Sequence, residues 1–427
     1  MCRYNLVFNS IKKMRFLVVS CIWIIIDLYC FQAIKTVTSN LNSTAVVIIH
    51  WIYWIFDLLL ISIILLYAFT GKFSNGPSPQ MSVLFGLMIL SLAPKLIIVP
   101  FLLIEDIFRA INAITIWISS ITSKIQKPVP FFNDRRKFVS QIGLGLAALP
   151  FLGIIYGLMK GKYEYRVHKV KLTYKDLPEA FHGFKITQLS DIHSGSFDNK
   201  EAVESGIKLA NDQKSDLLVF TGDLVNNSAE EMNDWIESFS QLEAPMGKFS
   251  ILGNHDYGDY IKWETEHSKA KNLDRLKDVH GEIGFRLMLN ESIKIEKNGQ
   301  HISLLGVENW GLRGFHQYGD LDTALEDVHH DDFKILLSHD PSHWEAQTLN
   351  HDKHIHLTLS GHTHGMQFGI EVPGFKWSPI KYIYPQWAGA YEKKNKYIYV
   401  NRGFGFLGFP GRVGILPEIT VIELLRG

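Results

Sequence analysis

The sequence predicts an α-helical, multi-pass membrane region followed by an α/β domain. Long apolar runs fill the first 160 or so residues, whereas short β-branched and aromatic runs alternate with helix-like stretches after about Tyr174. The chain has 427 residues, too many for one average domain, and its composition changes abruptly near residue 160. We therefore predict a membrane region over residues 1–162 and a second domain over residues 163–427.

Four apolar runs in the first region are long enough to cross a bilayer. They lie at about residues 14–34, 46–69, 81–104 and 139–159. A bilayer core takes roughly 20 apolar residues as a helix, so about four membrane helices are expected, with the bilayer as a partner. The fourth run is rich in Gly and Ala and contains Pro150, so a buried soluble helix is an alternative for it.

Basic residues give conflicting signals about orientation. The segment before residue 16 and the segment between the third and fourth runs are both basic, and the positive-inside rule assigns each to the cytoplasm. Three spans separate the two segments, so they cannot both lie on the cytoplasmic side. An extra or re-entrant pass would resolve the conflict, and either Pro94-Lys95 or residues 111–121 could provide it.

A short basic motif bears on the side of the second domain. Residues 134–139 read Asp-Arg-Arg-Lys-Phe-Val and resemble a twin-arginine export signal. Such a signal favours an extracytoplasmic second domain at a bacterial inner membrane. An ordinary basic flank of a membrane helix is the alternative.

Composition excludes two kinds of site. Cys2, Cys21 and Cys30 all lie in the membrane region, so the second domain has no disulfide framework and no thiolate metal site. Lys plus Arg and Asp plus Glu number 43 each, so no charge excess points to nucleic acid. We expect no nucleic-acid partner, and the sequence leaves the oligomeric state open.

The second domain is predicted to be an α/β core. Runs rich in β-branched or aromatic residues predict strands at 184–189, 217–221, 249–252, 302–307, 335–337, 355–359, 397–400 and 419–424. Helix-like stretches lie between the early strands, at 200–212 and 228–241.

Polar side chains able to bind metal follow most of these runs. The candidate ligands are Asp191, His193, Asp223, Asn254, His339, His362 and His364. Ligands gather beyond the carboxyl ends of strands in open α/β sheets, so these side chains can converge. Oxygen and imidazole donors suit Mn, Fe or Zn. Seven ligands are too many for one tetrahedral ion but suit two divalent ions that share a bridging carboxylate, which indicates a metal-dependent hydrolase.

The motifs Asp-x-His, Gly-Asp-x-x-Asn, Gly-Asn-His-Asp, a lone His and Gly-His-x-His occur in that order over roughly residues 180–425. This order resembles the calcineurin-like metallophosphoesterases and implies an α/β/β/α sandwich. Gly-Asn-His-Asp-Tyr and the segment 401–418 are similar to a membrane-linked bacterial phosphodiesterase branch. That branch usually has Gly where this chain has Met366, so backbone packing there is expected to differ.

The resemblance also implies a role for each candidate residue. One ion would be held by Asp191, His193, Asp223 and His364. The other would be held by Asp223, Asn254, His339 and His362, with Asp223 as the bridge. His255 would act as the acid or charge stabiliser for the departing alkoxide, and Asp256 would orient its ring.

The implied activity is that of a membrane-anchored phosphoesterase. It would use a metal-bridging hydroxide to hydrolyse either phosphodiester bonds or lipid-linked phosphate and pyrophosphate bonds. Its substrate would be a phosphate ester, either soluble or lipid-linked. One alternative is a transporter or sensor with a phosphoesterase-like regulatory module, although the spans contain few ionisable residues, chiefly Asp27, Asp57 and Lys95. Hydrolysis of amide or ester bonds is another.

Two further features allow two interpretations each. Arg402 either belongs to a turn or contacts the substrate phosphate with both guanidinium nitrogens. Aromatic residues between the motifs either lie in the core or form a cap that meets acyl chains: Trp310, Phe315, Trp377, Tyr382, Tyr384 and Trp387.

Overall fold

The computed structural model describes residues 2–70, 79–122 and 133–427. The chain divides into two compact units, one ending at Ile155 and the other beginning at Tyr156. This division falls inside the fourth long helix, which ends at Met159. The sequence-based boundary between residues 162 and 163 lies just after that helix and stays a prediction.

The first unit is built from four long helices. They are α1 (Cys2–Thr38), α2 (Ser43–Thr70), α3 (Pro79–Thr122) and α4 (Asn133–Met159). Each contains a segment long and apolar enough to cross a membrane, so the predicted helices are confirmed. Helix α3 continues through Pro94 and Pro100, and residues 111–121 belong to it as well. At 1.5 Å per residue it is about 66 Å long, roughly twice the thickness of a bilayer core.

The second unit contains fourteen strands. They are β1 (Arg166–Tyr174), β2 (Phe184–Leu189), β3 (Leu217–Phe220), β4 (Lys248–Ser250), β5 (Arg286–Leu287), β6 (Glu291–Lys297), β7 (Gln300–Gly306), β8 (Lys334–Leu337), β9 (Leu357–Ser360), β10 (Ile370–Val372), β11 (Phe375–Trp377), β12 (Gly389–Lys393), β13 (Lys396–Val400) and β14 (Glu418–Arg426). One six-stranded sheet has the order β1-β14-β2-β3-β4-β5, the other has β12-β13-β9-β8-β7-β6, and β10 pairs with β11 alone.

The helices of this unit are α5 (Lys200–Asn211), α6 (Ile236–Ser240), α7 (Glu266–Glu282), α8 (Leu321–Leu325) and α9 (Ser342–Ala346). Both sheets contribute apolar side chains such as Ile186 and Leu304 to a shared core between them. Helices α5 and α7 share a second core with the first sheet, and α8 shares a third with the other sheet. The predicted α/β/β/α sandwich is confirmed.

The stretch 228–241 differs from its prediction as one helix. It forms a short 3₁₀ turn at Ala229–Met232 and then α6. Ser228 and Glu231 form a capping box that starts the turn. Asn233 and Asp234 follow this turn, and residues of these types favour turns over helix interiors.

The strand register aligns the carboxyl ends of the central strands. In the first sheet Leu189 is paired with Phe220, and Phe220 with Ser250. In the second sheet Leu337 is paired with Leu359. Loops that follow these strands therefore leave each sheet at one edge, which positions the residues described next.

Candidate metal centre

The structure brings all seven candidate ligands together. Asp191 and His193 follow β2, Asp223 follows β3, Asn254 follows β4, His339 follows β8, and His362 and His364 follow β9. Asp191, His193 and His364 form one group, and Asp223, His339 and His362 form another; within each group the potential ligand atoms lie within 4.8 Å of one another. The two groups suit divalent cations, and the role of each residue stays a prediction.

The Asp223 carboxylate connects the two groups. Its Oδ2 atom lies 3.1 Å from His339 Nε2 and 3.6 Å from His193 Nε2. His193 Nε2 in turn lies 3.0 Å from His364 Nε2. Asn254 joins the second group, because its Oδ1 atom is 2.8 Å from His362 Nδ1.

A hydrogen bond to the His339 ring directs its other nitrogen toward the centre. His339 Nδ1 lies 2.7 Å from the Thr221 carbonyl oxygen, which can only accept, so Nδ1 donates and Nε2 is the nitrogen directed at the centre. This buried Nε2 atom has no hydrogen-bond partner within the described ranges and faces a carboxylate oxygen. A ring nitrogen and a carboxylate oxygen this close and this buried need a proton or a metal cation between them. The donor arrangement therefore fits a metal ion.

The backbone at the ligands is strained. Asp191, His193, Asp223, His362 and His364 have positive φ angles of 52°, 49°, 62°, 70° and 50°. Left-handed conformations at residues other than glycine cost free energy and cluster at functional sites. A neighbouring glycine permits close packing, since a Cβ atom on Gly253 would lie only 2.3 Å from Asp223 Oδ1.

Opposite charges shift the pKa values in this buried centre. Burial raises the pKa of the Asp191 carboxyl, but His364 more than offsets this and holds it below its ordinary value. The pKa of Asp223 is also raised by burial and lowered by His339, with a net shift well below the ordinary range. Burial lowers the pKa of His339, whereas the Asp223 carboxylate raises it to about 10. Both carboxylates are thus anionic at neutral pH, as cation binding requires.

His255 lies beside the ligands with its ring partly exposed. Its Nδ1 atom is 2.8 Å from the Asn226 carbonyl oxygen, so Nδ1 donates and Nε2 is free to face a substrate. Its ring centroid is 5.0 Å from that of His193. The predicted partner of this ring was Asp256, and the structure places the Asn226 carbonyl there instead.

Asp256 organises the loops that carry the ligands. Its carboxylate accepts the backbone N–H groups of Asp223, Leu224, Val225 and Gly253 at 2.8 to 3.3 Å. Burial, together with the nearby Asp223 carboxylate, raises the pKa of Asp256 to about 7. Asp256 therefore ties the loop after β3 to the loop after β4.

Two residues contact His362 in a way that was not predicted from the sequence. His362 Nε2 lies 2.9 Å from the Tyr384 hydroxyl and 3.5 Å from Asp340 Oδ2. A hydroxyl or carboxylate partner commonly orients a metal-binding imidazole. Asp340 directly follows a candidate ligand, which was a usable signal, whereas Tyr384 is separated from its partner by more than twenty residues.

Arg402 has a structural role. Its guanidinium is buried and pairs with Glu418 and Glu371, at 2.5 Å from each. Glu418 also accepts the hydroxyl of Tyr399 at 2.5 Å. Both terminal nitrogens of Arg402 already have carboxylate partners, so the predicted contact with the substrate phosphate is not favoured.

Glu418→Gln is expected to lower the free energy of unfolding by about 3–5 kcal/mol, because it leaves the buried charge of Arg402 short of a partner. Burial raises the pKa of Glu418, but Arg402 outweighs this and lowers it to about 2, below the ordinary 4.5. The ion pair thus stabilises fully above pH 4.5, and its contribution disappears as the pH falls toward 2. The thermal unfolding midpoint of the wild type should therefore fall more steeply over this pH range than that of the variant.

Glu423→Gln provides the control for this prediction. Glu423 lies on the same strand and pairs with Lys171 at the surface, 3.3 Å away. Its replacement should cost less than about 1 kcal/mol. Equal unfolding midpoints for the two variants would contradict the stabilising role of the Arg402–Glu418 pair.

Comparison with known proteins agrees with this geometry. A family profile described as Calcineurin-like phosphoesterase matches residues 184–366, and one described as Probable Calcineurin-like phosphoesterase, transmembrane domain, matches residues 14–162. A Bacillus subtilis protein named Uncharacterized metallophosphoesterase YkuE is 31% identical over 299 residues, covering 68% of this chain and 97% of that protein. This chain belongs to the calcineurin-like metallophosphoesterases.

Other metallophosphoesterases are similar over much the same length. An Aquifex aeolicus protein named Uncharacterized metallophosphoesterase is 28% identical, covering 64% of this chain and 98% of that protein. The Danio rerio Transmembrane protein with metallophosphoesterase domain is 28% identical over 63% of this chain and only 60% of its own length. This membrane-associated metallophosphoesterase is thus a hydrolase by family, and a transporter or sensor function is not favoured.

Proposed function

We propose that this protein is a membrane-anchored phosphoesterase with two metal ions, whose catalytic domain comprises residues 163–427. The observation that carries the proposal is the position of Asp223 Oδ2, which lies between His339 Nε2 and His193 Nε2 at 3.1 and 3.6 Å. Mn, Fe or Zn is the expected metal, because the proposed ligands are oxygens and imidazole nitrogens.

The proposed mechanism assigns separate tasks to the ions and to the protein. Two bound ions would lower the pKa of coordinated water and offset charge on the phosphoryl oxygens. His255, oriented through its Nδ1 atom by the Asn226 carbonyl, would present Nε2 to the departing alkoxide as acid or charge stabiliser. Asp256 would hold the loops after β3 and β4 in register.

A cleft beside Asn254 is the proposed binding place for the organic part of the ester. It has a volume of about 200 Å³. The residues that line it are Asn254, Tyr257, Asp259, Tyr260, Asn309, Gly314, Phe315 and His316. Phe315 stands edge-on to His362, with ring centroids 4.9 Å apart, so this cleft opens beside a proposed ligand.

An exposed apolar rim supports a lipid-linked substrate. Of the large apolar side chains exposed after residue 162 in the described structure, most lie between residues 366 and 383. The apolar rim consists of Met366, Ile370, Val372, Phe375, Tyr382 and Ile383. It is continuous with Tyr384, whose hydroxyl contacts His362. Exposed apolar patches mark interaction surfaces, and the four apolar helices keep this domain near a bilayer.

Side-chain exposure distinguishes the aromatic residues of the rim from those of the core. Trp310, Tyr384 and Trp387 are buried, as the core interpretation predicts, whereas Tyr382 is 75% exposed. Met366, which replaces the usual glycine, has a φ angle of 57° and is also exposed.

For the orientation of the catalytic domain we retain the extracytoplasmic side, on the basis of the twin-arginine-like motif.

Hydrolysis by the full-length protein in detergent tests this function. Bound metals should be measured, and a generic phosphodiester, a phosphomonoester and a lipid pyrophosphate compared as substrates. Metal near two equivalents, with hydrolysis lost on chelation and restored by adding the metal, is the expected result. A protein that binds metal but hydrolyses none of the three would refute the proposal.

The double substitution Phe375→Ser and Tyr382→Ser is expected to reduce hydrolysis of the lipid pyrophosphate by about 100-fold, since each side chain contributes roughly 1.5 kcal/mol when buried against lipid. Hydrolysis of the soluble phosphodiester should not change, because neither side chain contacts a proposed ligand. The two substrates thus control for each other. An equal loss for both substrates would contradict the role of the apolar rim.

A further inference from the structure

We propose that the membrane unit contains a proton-binding site, formed by Asp27, Asp57 and Lys95, in which Asp27 carries the proton. These residues lie on helices α1, α2 and α3. They were noted in the sequence as the chief ionisable residues of the apolar runs, and packing brings all three into contact.

The three side chains form a compact ionic cluster. Lys95 Nζ lies 2.7 Å from Asp27 Oδ1 and 2.6 Å from Asp57 Oδ2. It also donates to Ser91 Oγ at 2.7 Å. The relative exposures of Asp27, Asp57 and Lys95 are 1%, 2% and 7%, so the cluster is removed from the surrounding solvent or lipid.

The net charge of this cluster indicates that it binds one further positive charge. Two carboxylates and one ammonium carry a net charge of −1 when all are ionised. Ionisable groups inside membrane helices are costly unless they are neutralised by a partner. One additional positive charge therefore makes the cluster neutral, and the ligand must supply it.

The geometry favours a proton over a metal cation. The Lys95 ammonium already occupies the space between the two carboxylates, within hydrogen-bond distance of each. A metal ion placed there would meet this positive charge at close range. A proton binds a single carboxylate oxygen and needs no such space.

The contacts of the two carboxylates differ, and this difference selects Asp27. Asp57 receives one hydrogen bond from Ser91 and another from Lys95, which stabilise its ionised form. Asp27 has only the Lys95 ion pair at Oδ1, and its Oδ2 atom has no hydrogen-bond partner among the described residues. An unpartnered, buried carboxylate oxygen is the atom best stabilised by protonation.

The other titratable groups around Asp27 leave this charge count unchanged. Tyr53, on α2, donates its hydroxyl to the Asp27 carbonyl oxygen at 2.9 Å. Cys30, on α1, donates its thiol to the Lys95 carbonyl oxygen at 3.6 Å. Both are neutral donors to the backbone. Lys95 therefore supplies the cluster's only positive charge among these facing groups, and its loss should draw in a second proton.

Infrared difference spectroscopy of the full-length protein in lipid nanodiscs tests this site. Protonated carboxylic acids have a carbonyl stretching band of their own, which isotope labelling of aspartate shifts. The wild type should show this band at neutral pH. Asp27→Asn and Asp57→Asn should each remove it, because the remaining carboxylate then forms a neutral pair with Lys95. Asp27→Glu should make the band respond to labelled glutamate instead of labelled aspartate, whereas Asp57→Glu should leave it responding to labelled aspartate. Lys95→Met should roughly double it, because both carboxylates would then be protonated.

Each outcome bears directly on the proposal. No aspartic acid band in the wild type would overturn it, even if some variants fail to fold. A band that responds to labelled glutamate in Asp57→Glu but still responds to labelled aspartate in Asp27→Glu would overturn the assignment to Asp27. Glu105→Gln is the matched control, because Glu105 is a buried acid of the same unit that lies near Arg109 and Arg135, at 3.7 and 3.5 Å. It should leave the aspartate band unchanged.

Discussion

Replacing Asp223 with asparagine is expected to abolish phosphoester hydrolysis and to weaken metal binding by more than the roughly 100-fold typical of residues that only support ligands. Asp223 Oδ2 lies near imidazole nitrogens of both ligand groups. An amide has one acceptor oxygen and no negative charge, so it cannot bridge two cations. Metal analysis after dialysis, together with turnover at saturating substrate, would measure both effects.

Asp332→Asn is the control for this substitution. Asp332 accepts a hydrogen bond from Ser303 at 2.9 Å, on a different part of the second sheet from the ligands. Its replacement should leave metal content and turnover unchanged. A folded Asp223→Asn protein with full metal content and wild-type turnover would show that Asp223 is not the bridge.

His255→Ala is expected to lower turnover by about 100- to 10,000-fold, the range typical for loss of a general acid or base. Metal content should be retained, because His255 is not among the proposed ligands and its Nδ1 atom is bonded to the Asn226 carbonyl. Single-turnover kinetics and metal analysis on the same preparation would separate chemistry from metal loss.

A surface histidine provides the comparison for His255. His330 is exposed, and its ring lies 3.3 Å from the carboxylate of its neighbour Asp331. His330→Ala should leave turnover and metal content unchanged. A metal-free His255→Ala protein would instead identify His255 as a residue needed to hold the ions.

Much of the candidate centre was predictable because its residues are local to strand ends. Each candidate ligand follows a short apolar run, and the runs became parallel neighbours with level carboxyl ends. Convergence of Asp191 and Asp223 then needs only the ordinary geometry of an α/β sheet. His339 follows β8 of the other sheet and joins them because the two sheets pack against each other. Eight of the fourteen strands were predictable from local apolar runs, whereas the sandwich was implied by the resemblance to the calcineurin-like metallophosphoesterases.

The partners of individual side chains were not predictable in this way. Asp256 was expected to hold the His255 ring, yet it accepts backbone N–H groups of two loops while the Asn226 carbonyl bonds the ring. Adjacent residues in a loop point in different directions, so sequence proximity does not determine which groups meet. Arg402 likewise gained its partner Glu418 through the closing turns between β13 and β14.

The sequence by itself determined the membrane helices, the class of the second domain and the set of candidate metal ligands, because each depends on local periodicity and residue chemistry. Only the tertiary structure decided that Asp27, Asp57 and Lys95 meet inside the membrane unit and that the apolar rim is exposed. Such contacts depend on how helices and sheets pack against one another, and residues distant in the chain carry no local signal of that packing.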